Sequence, residues 1–357
     1  MLTSEFDFTF PENQIAMHPV ARGGARMMVV SKTGRLPTDF PLPVETEGWA
    51  FGRTEDLIRI LKPGDSLALN NTKVLRARLR GALEDGTKCE VFLLKPKAQL
   101  DSVSVWECLV KPGRKLVQGK RVSFSPELNG EIQDVLPEGE RIVRFNLGGE
   151  TFFNQLEKTG EIPLPPYIRR PIEEADGQVY QSVFAEHLGS VAAPTASLHF
   201  SSEMLAAAAQ KEITIAKLTL HVGAGTFRPV QTERAEDHPM HSESFSLSQA
   251  SADIFNQTRA KGGRIFAVGT TASRVLETCA NDSGLLLAQS GETRLFVRPG
   301  YTWKVVDALL TNFHWPRSTL FMLVCGLIGT EKAKEAYAEA IKRDFRLFSY
   351  GDAMLIL

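Results

Sequence analysis

The sequence is poor in cysteine and close to neutral in charge. Cys89, Cys108, Cys279 and Cys325 are scattered over 357 residues, and no two form a C-x-x-C pair. This excludes a disulfide framework or a paired-thiolate zinc site and suits a reducing compartment such as the cytoplasm. The formal net charge is −1, so bulk electrostatics points to no partner. Long apolar runs are missing as well. The longest, TLFMLVCGLIG from Thr319, falls short of the roughly 20 residues that a spanning helix needs. The opening MLTSEFDFTFPENQIA lacks the basic start and apolar run of a secretory signal. No internal repeat or low-complexity tract occurs. The expectation is a soluble, cytoplasmic protein without membrane contact.

What is present is uneven. Hydrophobic residues make up 43% of the chain, enough for a sizeable core, and the length suits two domains. Charge is distributed asymmetrically. Between Lys73 and Arg121 there are twelve Lys or Arg against five Asp or Glu. A basic segment on an otherwise acidic chain suits a polyanion, although a solvated face is the commoner cause of such a run.

The element pattern changes along the chain. TEDLIRILKPGD has helical spacing and ends at Pro63-Gly64, and SLALNNTKVLRARLRG alternates as a strand interrupted at Asn70-Asn71. From there to about Glu150 short strands follow one another with turns every 8–12 residues, the spacing of a small barrel or sandwich. After the Pro-rich GEIPLPPYIRRP, helices and strands alternate: SSEMLAAAAQK, EITIAKLTLHV, LSQASADIFNQTRAKGG, RIFAVG, TTASRVLETCA and EKAKEAYAEAIKRD. Such alternation predicts an α/β domain. We place an all-β module at 72–152, inserted into a discontinuous α/β domain of 1–71 and 153–357.

Two strand-to-helix junctions carry candidate chemistry, VGAGTF (222–227) and FAVGTTASR (266–274). Neither matches G-x-G-x-x-G or the P-loop, which disfavours a dinucleotide or nucleoside-triphosphate site. In the strand before the first junction, Lys217, Thr219 and His221 share one face by period-two alternation. The glycines beyond permit close backbone approach to a ligand, but a plain turn after an edge strand with a solvated histidine fits as well. Thr270 and Thr271 suit helix caps. His199, His221, His238, His241 and His314 each sit in a loop context. Pro239 breaks the helical face that H-x-x-H at 238 and 241 would need for zinc, so no metal is expected.

The strings VAAPTASLHF, LTLHVGAGTF, HPMHSE, AVGTTASRVLE, LLTNFHWPRSTL and FSYGDAMLI, with FDFTFPENQIAMHP, LALNNTKVLRARLRG, VKPGRKLVQG and GEIPLPPYIRR, cover the chain in order. The sequence closely resembles the S-adenosylmethionine:tRNA ribosyltransferase-isomerases of queuosine biosynthesis. The resemblance implies an α/β domain with a curved, barrel-like sheet and an inserted small β-barrel. It implies an enzyme that moves the ribosyl portion of S-adenosylmethionine onto 7-aminomethyl-7-deazaguanine at the tRNA wobble position. Epoxyqueuosine forms, and adenine and methionine leave. S-adenosylmethionine is then a co-substrate, no cofactor is needed, and a monomer is expected.

Within the matching strings, His221, His199, Asp352, His241 and Glu243 have the types suited to acid–base work. Thr195, Gly223, Gly225, Thr226, Thr270 and Thr271 are the candidates for S-adenosylmethionine. Asn71, Lys73, Arg76, Arg78, Lys111, Arg114, Arg169 and Arg170 are the candidates for tRNA. The chain departs from the family strings at Ser197, where glycine is expected, at Arg76, where proline is expected, and at Ala25, where serine is expected. Two other readings remain: an RNA methyltransferase using S-adenosylmethionine, and a non-catalytic RNA-binding protein.

Overall fold

A computed structural model describes residues 1–46, 48–223, 225 and 229–357. The chain opens with β1 (Arg26–Val30), β2 (Val44–Thr46), β3 (Trp49–Arg53), α1 (Leu57–Ile60), β4 (Ser66–Asn70) and β5 (Thr72–Val74). Six strands follow without a helix: β6 (Arg78–Leu83), β7 (Lys88–Gln99), β8 (Ser104–Lys111), β9 (Arg121–Ser123), β10 (Asn129–Val135) and β11 (Arg141–Phe145). The remainder alternates: α2 (Gly149–Thr159), α3 (Asp176–Val179), β12 (His187–Ser190), α4 (Ser202–Gln210), β13 (Thr214–Leu220), β14 (Glu243–Leu247), α5 (Gln249–Ala260), β15 (Ile265–Val268) and α6 (Thr270–Cys279). The last elements are β16 (Gln289–Thr293), β17 (Ala308–Asn312), α7 (Thr319–Ile328), α8 (Thr330–Lys342) and β18 (Ala353–Ile356).

Ten strands form one mixed sheet in the order β16-β14-β13-β4-β15-β17-β18-β1-β3-β2. Its central strands read as continuous apolar runs because both faces are covered. β15, IFAV, and β18, AMLI, are buried at every residue. β13 and β15 flank β4 in parallel, β17 runs parallel to β15, and β18 runs antiparallel to β17. Register then brings distant residues to one edge. Asn70 pairs with Leu218, Val268 with both Leu69 and Leu310, and Asn312 with Ala353. The ends of β4, β13, β15 and β17 therefore meet the start of β18. His221, Asn71, Thr270, His314 and Asp352 lie just beyond that edge.

The strand-only block closes into a barrel, β10-β11-β8-β7-β6-β9. Leu79, Val91, Trp106, Ile132 and Phe145 fill it from alternate strand positions. α2 supplies the plug, placing Phe152 and Leu156, four residues apart, in the same core. Phe152 lies 5.0 Å from Phe145, ring centre to ring centre. The sequence reading assigns no helix there. Phe152, Phe153 and Leu156 nonetheless follow helical spacing, and the helix begins where the run of short strands ends.

Caps fix the helices around the sheet. Ser201, Ser248 and Ser318 accept from the amides of Met204, Ser251 and Phe321 at the starts of α4, α5 and α7. α6 differs from expectation. Neither threonine caps it; the cap is Gly269 at φ +89°, a conformation that favours glycine. Thr271 Oγ1 instead accepts from Asn70 Nδ2 at 3.1 Å, tying α6 to the end of β4. The run TLFMLVCGLI is the buried α7, and no helix among the described residues is long and apolar enough to cross a membrane.

Candidate active site

A cavity of about 690 Å³ opens where the end of β13 meets the barrel. His221, Gly223, Gly225, His241 and Glu243 line one wall. The barrel contributes Lys95, Lys97, Trp106 and Glu107, and α2 adds Phe153. A volume of this order accommodates a substrate-sized molecule.

His221 stands one residue beyond β13 and is half-buried. Its amide donates to the Ser244 carbonyl at 2.9 Å, and its Nδ1 lies 2.7 Å from Thr72 Oγ1. Burial lowers its pKa from the ordinary imidazole value, and nearby His187 lowers it further. The neutral ring is thus the form that faces the cavity at physiological pH. Glu243 opens β14 and accepts from the Gly223 amide at 2.9 Å. Its other oxygen forms a buried ion pair with Arg274, whose Nε donates to the Leu295 carbonyl at 3.0 Å. The pair anchors the start of the glycine turn. His241 is exposed, and a β-carbon on Gly225 would collide with its ring. A larger residue there would have to turn the His241 ring away. Thr226 lies outside the described residues.

His199 and Asp352 belong to a different group. His199 ends the 3-10 turn Thr195–His199 and is 6% exposed. Its Nε2 accepts from Asn312 Nδ2 at 3.2 Å. Burial, reinforced by the charges of Arg346 and Arg22, pushes its pKa down to about 4. Asp352 is 1% exposed and accepts from the Arg26 amide at 3.0 Å, the Arg346 amide at 2.9 Å and Arg346 Nη2 at 3.4 Å. Those bonds occupy its carboxylate in holding the starts of β1 and β18. Thr195 lines a small second cavity with Asn312, His314 and Ser349. Thr270 and Thr271 are buried at the sheet edge and line neither cavity. Ser197, the departure from glycine, is fully buried, and its Oγ has no hydrogen-bond partner among the described residues.

The basic candidates divide the same way. Lys73, Lys111, Arg114 and Arg169 are exposed, Arg169 facing Glu12 at 3.6 Å. Arg76 reaches Glu157 at 3.3 Å and Arg78 reaches Glu90 at 3.0 Å. Asn71 and Arg170, read from the sequence as tRNA contacts, are engaged within the fold. Asn71 is buried, donating to Glu186 and accepting from Thr219 Oγ1. Arg170 is clamped on Asp176 by two bonds of 2.7 and 2.6 Å. Both side chains are spent inside the fold. Sequence reasoning missed Thr72, Gly189 and Arg274. Thr72 was hidden in NNTKV, a string read for its charge, whereas the side chains of Asn70, Asn71 and Thr72 all make internal bonds.

Fold and cavity together define an α/β protein whose histidine-bearing sheet edge faces an inserted barrel. Comparison with known proteins makes this specific. The family described as queuosine biosynthesis protein matches residues 3–356. S-adenosylmethionine:tRNA ribosyltransferase-isomerases of Trichlorobacter lovleyi and Clostridium kluyveri are 42% and 44% identical, each over the full length of both chains. The crystal structure of S-adenosylmethionine tRNA ribosyltransferase from Thermotoga maritima is 32% identical and aligns with a TM-score of 0.55, covering 99% of this chain and 100% of that one. The chain belongs to the S-adenosylmethionine:tRNA ribosyltransferase-isomerase family of queuosine biosynthesis.

Proposed function

We propose that this enzyme transfers and isomerises the ribosyl portion of S-adenosylmethionine onto 7-aminomethyl-7-deazaguanine in the tRNA wobble position, giving epoxyqueuosine, adenine and methionine. The observation that carries the reading is full-length membership of a family whose relatives bear that activity as their name. The cavity supports it, because it joins a neutral imidazole and two glycines on the sheet side to lysines on the barrel side.

His221 touches the reacting part of S-adenosylmethionine, with Gly223 and Gly225 in close approach and His241 at the cavity rim. The sulfonium acidifies the adjacent ribose C–H, adenine leaves more readily toward a hydrogen-bond donor, and the base's amine attacks only when neutral. Lys73, Lys111 and Arg114 take tRNA phosphates outside the cavity. S-adenosylmethionine is consumed as co-substrate. The protein works as a monomer in the cytoplasm, with 72–152 as its inserted unit.

One incubation with substrate tRNA and S-adenosylmethionine, followed by chromatography of the small molecules, tests the reading. Adenine with methionine is the expected result. S-adenosylhomocysteine would replace it with a methyltransferase, and intact S-adenosylmethionine with a non-catalytic RNA-binding protein.

A further inference from the structure

We propose that Thr72 and Gly189, on the short parallel ribbon of β5 and β12, hold the ring of His221 so that its Nε2–H faces the cavity as a hydrogen-bond donor. The inference rests on the reading of His221 as a group that meets substrate, and it adds the device that orients it.

Thr72 is fully buried, and its Oγ1 lies 2.7 Å from His221 Nδ1. The same hydroxyl lies 3.5 Å from the His187 carbonyl. A hydroxyl carries one proton. The shorter separation is that of a strong hydrogen bond and the longer is at the limit of one, so the proton goes to His221. Nδ1 accepts it, and a neutral imidazole then keeps its own proton on Nε2. That nitrogen has no hydrogen-bond partner among the described residues, and His221 lines the cavity.

Gly189 closes one face of the ring. A β-carbon there would stand 2.8 Å from His221 Cε1, 2.9 Å from Nδ1 and 3.0 Å from Nε2. The imidazole therefore lies against bare backbone, and no larger residue fits without turning it. The pairing of β5 with β12 is irregular between Leu188 and Ser190, the step that holds Gly189. A fixed neutral N–H suits negative charge developing on a departing purine, because it is already aimed when the charge appears. Thr72 lies behind the ring, outside the cavity lining, and Gly189 lines the cavity wall only as bare backbone beside His221, so both act through the ring as positioning residues.

The test combines ring ¹⁵N chemical shifts of His221 with adenine-release kinetics in the full chain, His221→Gln identifying the signal. The parent is expected to show the Nε2–H tautomer. Thr72→Val, which keeps the shape and deletes the hydroxyl, is expected to give mixed tautomers and lower kcat at least about tenfold. Its KM for tRNA stays within about twofold, and Thr72→Ser restores both tautomer and rate. A parent with Nδ1–H, or Thr72→Val with an unchanged tautomer, overturns the positioning role whatever the rates. A parent with the expected tautomer that releases no adenine supports the positioning while overturning the ribosyl-transfer reading. If Thr72→Val does not fold, the parent tautomer and Thr72→Ser still decide.

Discussion

Two groups of polar residues share one sheet edge and live under opposite conditions. Around His221 the side chains face a cavity, and the ring keeps one nitrogen without a protein partner among the described residues. Around His199 and Asp352 the side chains are more than nine-tenths buried, and Asp352 accepts three bonds from its neighbours. A site needs bonding capacity left over for substrate, whereas a structural network is stable because little is left over. The difference separates side chains with bonding capacity open to the cavity from side chains that hold the edge on which those stand.

The sealed side gives the largest expected effect. His199 and His314 have pKa values pushed down to about 4 and about 3 by burial. Both are lowered, so the unfolded chain binds protons first. Their stability is fully present above the ordinary imidazole value near 6.5 and is lost as pH falls toward 4. By pH 5 the two together cost about 4 kcal/mol, at about 1.4 kcal/mol per unit each. Urea midpoints measured from pH 7 to pH 5 should fall steeply. A flat profile over that window would mean that both rings titrate as exposed imidazoles, and the contrast would collapse.

Next comes Asp352→Ala. It strands the amides of Arg26 and Arg346 and removes the ion-pair partner of the Arg346 guanidinium, which keeps its bond to the His18 carbonyl. A loss of about 3 kcal/mol is expected from a buried, multiply bonded carboxylate. Chemical denaturation reads it directly. A variant as stable as the parent but unable to release adenine would move Asp352 from the sealed side to the catalytic one.

His221→Ala is the mirror experiment. Thermal midpoint and tRNA affinity stay near the parent, while adenine release falls at least about a hundredfold, equivalent to about 2.7 kcal/mol of barrier. His221→Gln keeps a polar group without titration near neutrality and separates geometry from proton transfer. Parent-like turnover in His221→Ala would make the ring structural.

Much of this architecture was legible in advance, for physical reasons that also mark the limit. The barrel announced itself through turn spacing, and α4 and α5 through the alternation of helical and strand patterns, because those signals are local. Which side of each strand end looks inward was not legible. Asn71 and Arg170 read as surface polar residues, yet Glu186 and Asp176, distant or unremarkable in sequence, draw them inside. The glycines at 223 and 225 were found by type. Glu243 was chosen as an acid or base, but its pairing with Arg274 came only from the crossing of β14 and α6. Burial and partner saturation are tertiary properties, and residue type alone does not carry them.

The smallest expected effect concerns grip on tRNA, where the same contrast recurs among cations. Lys73, Lys111 and Arg114 are exposed and have no ion-pair partner among the described residues, whereas Arg170 is locked on Asp176. Each phosphate contact released lowers the log–log salt slope of binding by roughly 0.7–0.9. Replacing the three exposed cations together by glutamine should flatten the slope by about two. Arg170→Lys keeps the charge but loses the two-pronged geometry, so it should lower the melting temperature and leave the slope as it was. Filter binding of tRNA across a salt series decides between the surfaces. If the triple variant keeps the parent slope, the phosphates lie elsewhere, and the barrel lysines Lys95 and Lys97 at the cavity become the next surface to neutralise.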